Sequence, residues 1–221
     1  MIRVLVVDDE ALIRTGFQHI LNSADDIEVV AAVPGGQAVH AVRQSRPDVV
    51  LLDIRMPDVD GLTVLADLRR LPDPPVVAML TTFDMDEYVA AALRSGAAGF
   101  LLKDTDPQQL PHLVRTLADG GAVLSSSVTR TVVDGYLDHS HLEPAVQAVT
   151  RLTERERAVL VLIAEGLSNA DIGLRMHLST GTVKDHVSTV LNKLEVGSRV
   201  QAALLAERAG LLRQPGEREG G

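Results

Sequence analysis

The chain has 221 residues, 46% of them hydrophobic, and a formal net charge of −9, so one or two domains with real apolar cores are expected. It has no cysteine, which excludes disulfides and thiolate metal sites. No run approaches the roughly 18 apolar residues of a membrane helix, and the first residues lead straight into Arg3 and Asp8–Asp9 without a signal-peptide layout; the expectation is a cytoplasmic protein with no membrane contact.

Through the first 120 residues, short apolar runs alternate with helical patterns. Strands are expected at 2–7, 27–33, 48–52, 76–81 and 99–102. Helices are expected near 10–22, 36–45, 60–70 and 85–95, with a fifth after Asp106. In the first helix Ile13, Phe17, Ile20 and Leu21 recur at the spacing of one helical face. Gly96 stands where a C-cap belongs. Val- and Leu-rich strands alternating with helices predict βαβ units and a parallel sheet covered on both faces. The start of the fifth helix is left open. Asp106–Pro107 reads as an N-cap followed by proline at the first helical position, but Pro111 would then remove a hydrogen bond inside the helix, so a start nearer Pro111 is the other choice.

Gly120–Gly121 ends this alternation, and the segment 121–150 reads as a linker. Val128, Val132, Val133, Tyr136 and Leu137 would line one side of a short helix there. Asp138–His141 reads as a solvated loop, since its two histidines have no further metal ligands nearby in the sequence. Residues 151–213 are all-helical in pattern. Thr153 and Glu156 form a capping box that opens a helix to about Glu165, before Gly166. Ser168 caps a second helix to about Met176, and Ser179 caps a third to about Leu194. A fourth spans about Val200 to Ala209. The tight connection His177–Ser179 makes a helix-turn-helix. The Gly-rich tail 214–221 is expected to be disordered.

In a parallel sheet the carboxyl ends of the strands share one edge, where open α/β folds place their ligands. Asp8–Asp9, Asp53, Thr81 and Lys103 close four of the five strands. Any one of them alone is an ordinary turn or cap residue; together they make a site. An aspartate nucleophile facing a phosphoryl donor needs a cation to screen the approach. Mg²⁺ takes oxygen ligands and keeps several waters. Asp9 and Asp53 supply carboxylates, a loop carbonyl near Arg55 a third ligand, and Asp8 acts directly or through water. Lys103 sets an ammonium against the phosphoryl oxygens, and Thr81 donates a hydrogen bond to them. Positioning and charge neutralisation are most of what phosphoryl transfer asks of a protein.

Val6-Val7-Asp8-Asp9-Glu10, Leu51-Leu52-Asp53-Ile54-Arg55-Met56-Pro57 with Gly61, Thr81-Thr82-Phe83-Asp84, and Gly99-Phe100-Leu101-Leu102-Lys103-Asp104 resemble the motifs of a response-regulator receiver domain. The resemblance covers about 1–120. It implies a doubly wound five-stranded parallel sheet in the flavodoxin-like order 2-1-3-4-5. It also implies that Asp53 is phosphorylated by a partner histidine kinase, and that Phe100 is the aromatic switch that moves as the Thr81 hydroxyl turns toward the phosphate. Phe100 reads equally as a core residue of the fifth strand. Lys103-Asp104 replaces the Lys-Pro of many receivers but suits the NarL/FixJ subfamily.

Leu152-Thr153-Glu154-Arg155-Glu156, Gly166-Leu167-Ser168-Asn169-Ala170-Asp171-Ile172, and Thr182-Val183-Lys184-Asp185-His186-Val187-Ser188 through Lys193-Leu194 resemble a LuxR-type DNA-binding domain. In the third helix Val183, Val187, Val190, Leu191 and Leu194 form a stripe to bury, while Gly181, Asp185, Ser188, Thr189 and Asn192 point away from it. A recognition helix meets base edges through its N-terminal part. Lys184, Asp185 and Ser188 are therefore the expected base contacts, with phosphate an equal option for Lys184, and His186 and Lys193 are expected backbone contacts. Glu195 stands where glycine often follows Lys-Leu, so this helix is expected to end differently. Gly173 takes a position often held by alanine, at a cost of about 1 kcal/mol of helix propensity.

The charge split is a weak pointer. Residues 1–120 hold 10 Lys+Arg against 18 Asp+Glu, whereas 151–221 hold 10 against 9, near-neutral rather than basic. The combined resemblance indicates a NarL/FixJ-class transcriptional regulator, not an enzyme. Phosphorylation of Asp53 would control homodimerisation and promoter binding, with RNA polymerase as a further possible partner. The inactive state would be either masked or monomeric. A phosphorylation-independent DNA-binding regulator is the alternative. A covalent phosphatase is disfavoured because Arg55 stands where such enzymes carry a second aspartate, and an interaction module without DNA binding has only the near-neutral charge in its favour.

Overall fold

The computed structural model describes residues 1–82, 86–124 and 147–212. The proposed linker helix, the Asp138–His141 loop, Phe83 and Asp84 of the third receiver motif, and the 214–221 tail lie outside these. The chain forms two compact units, Met1–Gly135 and Tyr136–Gly221.

The first unit is built on strands β1 (Ile2–Val7), β2 (Ile27–Val33), β3 (Val49–Asp53), β4 (Val76–Thr81) and β5 (Gly99–Leu102). All pair in parallel, in the order β2-β1-β3-β4-β5. Between them run α1 (Ala11–Asn22), α2 (Ala38–Ser45), α3 (Gly61–Arg69), α4 (Asp86–Arg94) and finally α5 (Leu110–Ala118). Alternation along each strand assigns the faces. Val4, Val6, Val49, Leu51, Ala78, Leu80 and Leu101 pack with Phe17 and Leu21 of α1 and with Leu110, Val114 and Leu117 of α5. Leu5, Val7, Val50, Leu52, Met79 and Phe100 are equally buried and project to the opposite face. With both faces covered, the strands read as continuous apolar runs.

The fifth helix starts at Leu110, with Pro111 in its first turn. Asp106 caps a turn instead: its carboxylate accepts the Gln108 N–H and its carbonyl the Gln109 N–H. Pro111 thus sits where its missing N–H costs nothing. Gly96 is left-handed after α4, as a C-cap requires. Residues assigned to the linker by sequence also join the sheet: Val123 bridges Gly99, accepts the Phe100 N–H at 2.7 Å and is buried in the first unit's core.

The second unit contains a helical turn over 147–150, then α6 (Glu154–Ala164), α7 (Asn169–Met176), α8 (Thr180–Leu194) and α9 (Arg199–Arg208). Thr153 and Ser168 cap α6 and α7 with full capping boxes, and Ser179 caps α8. A third box, Ser198 with Gln201, opens α9; its Ser-x-x-Gln spacing was visible in the sequence. Val183, Val187, Val190 and Leu194 of α8 are buried with Val159, Leu160 and Ile163 of α6 and Ile172 of α7. The departure expected at Glu195 does not occur. Glu195 itself adopts the left-handed conformation, φ 56° and ψ 37°, that glycine would have taken.

Candidate functional site

Strand ends deliver the acidic pocket. β1 ends at Val7, so Asp8 and Asp9 follow at once; Asp53 is the last residue of β3; and Lys103 comes directly after β5, its N–H donating to the Thr81 carbonyl at 2.8 Å. Lys103 Nζ lies 2.8 Å from Asp8 Oδ2, 3.1 Å from Asp53 Oδ2 and 3.5 Å from Glu10 Oε1. Asp8 is fully buried and Asp53 is 3% exposed. One carboxylate oxygen each from Asp8, Asp9 and Asp53 lie within 4.8 Å of one another. Sequence neighbours do not explain this clustering; the parallel topology does.

Burial pushes the Asp53 carboxyl up to about 6, assisted by the neighbouring Asp8 charge and opposed by Lys103 and the Arg55 backbone N–H. For Lys103, burial acts against the ammonium, but its close contacts with the Asp8 and Asp53 carboxylates outweigh it and leave its pKa above the usual lysine value. Asp8 Oδ2 is buried and makes no well-aligned hydrogen bond, although the ammonium stands 2.8 Å away. The ion pair is real, and its geometry leaves a lone pair unused. Three gathered carboxylates against one ammonium leave excess negative charge, the donor set a hard divalent cation prefers.

Supporting contacts fix the loops around the pocket. Arg14 on α1 donates to the carbonyls of Asp8 at 2.7 Å and Asp9 at 2.9 Å, a clamp that sequence reading missed and that no local pattern signals. Gly61 has no room for a side chain: a Cβ would stand 2.2 Å from the Asp53 carbonyl oxygen. Arg55 lies with its guanidinium 5.6 Å from the Tyr88 ring centroid on α4. Thr81 pairs in register with Leu102, two steps beyond Met79–Phe100, so Thr81 and Phe100 project to the same face. Phe100 is 1% exposed, a core residue of β5.

In the second unit, Lys184, Asp185 and Ser188 of α8 are exposed and His186 is half-buried. Lys193 has a partner within the unit: Nζ lies 2.7 Å and 2.8 Å from the two carboxylate oxygens of Glu156. That hydrogen bond and the Thr153 N–H hold Glu156 below the usual carboxylate range. Arg199, at the start of α9, is buried and donates to the Leu167 carbonyl and to Asn169 Oδ1; burial brings its pKa down to about 10.

Residues 4–115 match the family model of the response regulator receiver domain, and residues 150–206 that of bacterial regulatory proteins of the luxR family. The chain is 36% identical over 213 residues to the response regulator protein VraR of Staphylococcus epidermidis, covering 96% of this chain and 99% of that protein. It is 33% identical over 214 residues to the oxygen regulatory protein NreC of Staphylococcus haemolyticus, covering 95% and 99%. Among solved structures, the response regulator ChrA of a heme-sensing two-component system matches with 32% identity and a TM-score of 0.51, over 96% of this chain and 98% of that one. The receiver domain of a putative response regulator NarL from Mycobacterium tuberculosis matches with 38% identity and a TM-score of 0.52, over 54% of this chain and 97% of that one. The pocket, the helix-turn-helix and these likenesses agree, and the chain belongs to the NarL/FixJ class of response regulators, transcriptional regulators that join a receiver to a LuxR-type DNA-binding domain.

Proposed function

We propose that Asp53 accepts a phosphoryl group from a partner sensor histidine kinase and that this modification controls homodimerisation and binding of promoter DNA through α8. The carrying observation is the convergence of Asp8 and Asp53 on one buried ammonium, 2.8 Å and 3.1 Å from Lys103 Nζ. An Asp53 oxygen bonds to phosphorus as the donor's P–N bond breaks, and Lys103 balances the charge left on the phosphoryl oxygens. The Thr81 hydroxyl donates to the same group, and Phe100, on the same face, follows its movement. Asp8, Asp9, Asp53 and the Arg55 carbonyl would hold Mg²⁺; the unused lone pair on Asp8 Oδ2 and the excess of carboxylates fit such an ion. Bound there, Mg²⁺ supplies charge screening for the incoming phosphoryl oxygens.

The receiver then occupies 1–120, with the first linker residues up to Val123 packed onto it, followed by the rest of the 121–150 linker and the DNA-binding unit 151–213, ahead of a short tail. The protein acts in the cytoplasm as a regulator and not as an enzyme, with RNA polymerase as a partner at the promoter. Among the described residues no helix is long and apolar enough to cross a membrane. Lys184, Asp185 and Ser188 read base edges and His186 meets the backbone. A dimer would engage half-sites spaced by about one helical turn.

Salt titration tests the DNA side. A duplex selected by the wild-type chain from a random-sequence library is bound by wild type and Lys184→Ala across a range of salt. Loss of sequence preference at an unchanged slope makes Lys184 a base contact. A slope shallower by about 0.9 makes it a phosphate contact. Binding unaffected by the substitution contradicts its place in the interface.

A further inference from the structure

Lys193 lies near the C-terminal end of α8, where a cation on a DNA-binding helix would ordinarily be assigned to a phosphate. The contact it makes within the unit points to another role. Nine residues separate it from Lys184, so at about 100° per residue the two side chains leave α8 on opposite sides, while Ser188 stays within about 40° of Lys184. The apolar stripe Val183, Val187, Val190 and Leu194 lies between these two flanks. On its own flank Lys193 meets Glu156 of α6, whose side chain is 10% exposed against 39% for Lys193. Glu156 is itself held: its Oε2 accepts the Thr153 N–H at 2.9 Å, within the capping box of α6. The ammonium is thus tied to a fixed, largely buried carboxylate rather than to a mobile surface one.

We propose that Lys193 is a positioning residue that sets the angle and depth of α8 against α6 through Glu156, and thereby aims Lys184, Asp185 and Ser188, without touching DNA itself. This rests on the reading of the second unit as DNA-binding. The apolar stripe holds α8 to α6 and α7 but is non-directional, so it tolerates sliding and rolling. A charge-assisted pair with two short N–H···O contacts fixes direction as well as distance. Removing either partner leaves α8 free to adjust, and removing Lys193 leaves a buried carboxylate short of a partner.

The test compares the full chain with Lys193→Met, Glu156→Gln and the double variant on the selected duplex and on an unrelated duplex of equal length. Glu156→Gln retains an acceptor for the Thr153 N–H, so the capping box and the fold survive. Each single variant is expected to weaken specific binding about tenfold, with the double variant no worse than either single. Binding to the unrelated duplex and the salt slope should stay as in wild type, and the melting temperature of Glu156→Gln should be nearly unchanged. Amide exchange across α8 should quicken in both single variants without DNA. The Glu156→Gln result is the sharpest, because deleting a negative charge should by simple electrostatics tighten DNA binding. Binding by Glu156→Gln as tight as wild type or tighter overturns the proposal, as does a slope shallower by about 0.9 in Lys193→Met, the mark of a lost phosphate contact. Unchanged exchange across α8 in both variants overturns it as well. A wild-type chain that selects no duplex overturns the DNA-binding reading and this inference with it.

Discussion

Asp53 closes a strand buried along its whole length, and that burial has a thermodynamic consequence. Its carboxyl is raised from 3.8 to about 6, so the folded chain holds this proton more tightly than the unfolded chain. The stability it contributes is fully present below about pH 4 and is lost as pH rises through about 6. At neutral pH the ionised carboxylate therefore works against the fold despite the Lys103 ammonium 3.1 Å away, and a further, divalent cation would offset that cost. In metal-free buffer at pH 7.5, Asp53→Asn should melt a few degrees higher than wild type, and the gap should close as pH falls toward 5. Added Mg²⁺ should raise the wild-type melting temperature by ligand linkage and move the variant less. Melting curves at several pH values decide this; equal melting at every pH would show that burial does not strain Asp53. The acidic residues themselves were legible because each follows an apolar run and the alternation with helices implied parallel strands. Lys193 was not, since its partner lies 37 residues away and no local pattern announces it. Arg14 was missed because its partners are backbone carbonyls, which carry no sequence signature.

Elements were legible where a periodic stripe met a capping signal, as at Thr153, Ser168 and Ser179. They were less so where two prolines competed, and the start of α5 turned on which N–H groups Asp106 accepts. Two positions in the second unit are decided by backbone geometry as well as by propensity. At Gly173 a Cβ would meet the Leu178 carbonyl oxygen at 2.8 Å. Gly173→Ala gains about 1 kcal/mol of helix propensity, but overpacking against fixed backbone costs about 1–3 kcal/mol. The net expectation is destabilisation by about 1 kcal/mol in urea unfolding; a stabilised variant would show that the turn relaxes freely. At Glu195 the sign reverses. A left-handed non-glycine residue costs roughly 1–2 kcal/mol, and the ion pair Glu195 makes with Arg151 spans 3.8 Å between exposed side chains, worth little in water. Glu195→Gly should stabilise the chain by about 0.5–1 kcal/mol by the same measurement. Loss of stability would instead give that exposed pair an unexpected weight.

At the scale of the whole molecule, charge separates the two functions. The acidic residues concentrate in the first 120 positions, while 151–221 are near-neutral, so long-range attraction to DNA is weak and binding depends on placing a few side chains of α8 well. An aspartyl phosphate carries about −2 where the ionised carboxylate carried about −1, so phosphorylation adds about −1 of charge at neutral pH, which by itself would oppose DNA binding. If phosphorylation nonetheless tightens binding, it must do so by favouring one of two states, through dimerisation or release of the recognition helix. The direct measurement treats the full chain with Mg²⁺ and a small phosphodonor such as acetyl phosphate, then reads intact mass, oligomeric state and affinity for the selected duplex, for wild type and Asp53→Asn. The account predicts one phosphoryl group, more dimer and tighter binding in wild type, and none of the three in the variant. An Asp53→Asn protein that gains phosphate and responds as wild type does, or a wild type labelled at Asp53 with unchanged DNA affinity, would contradict it.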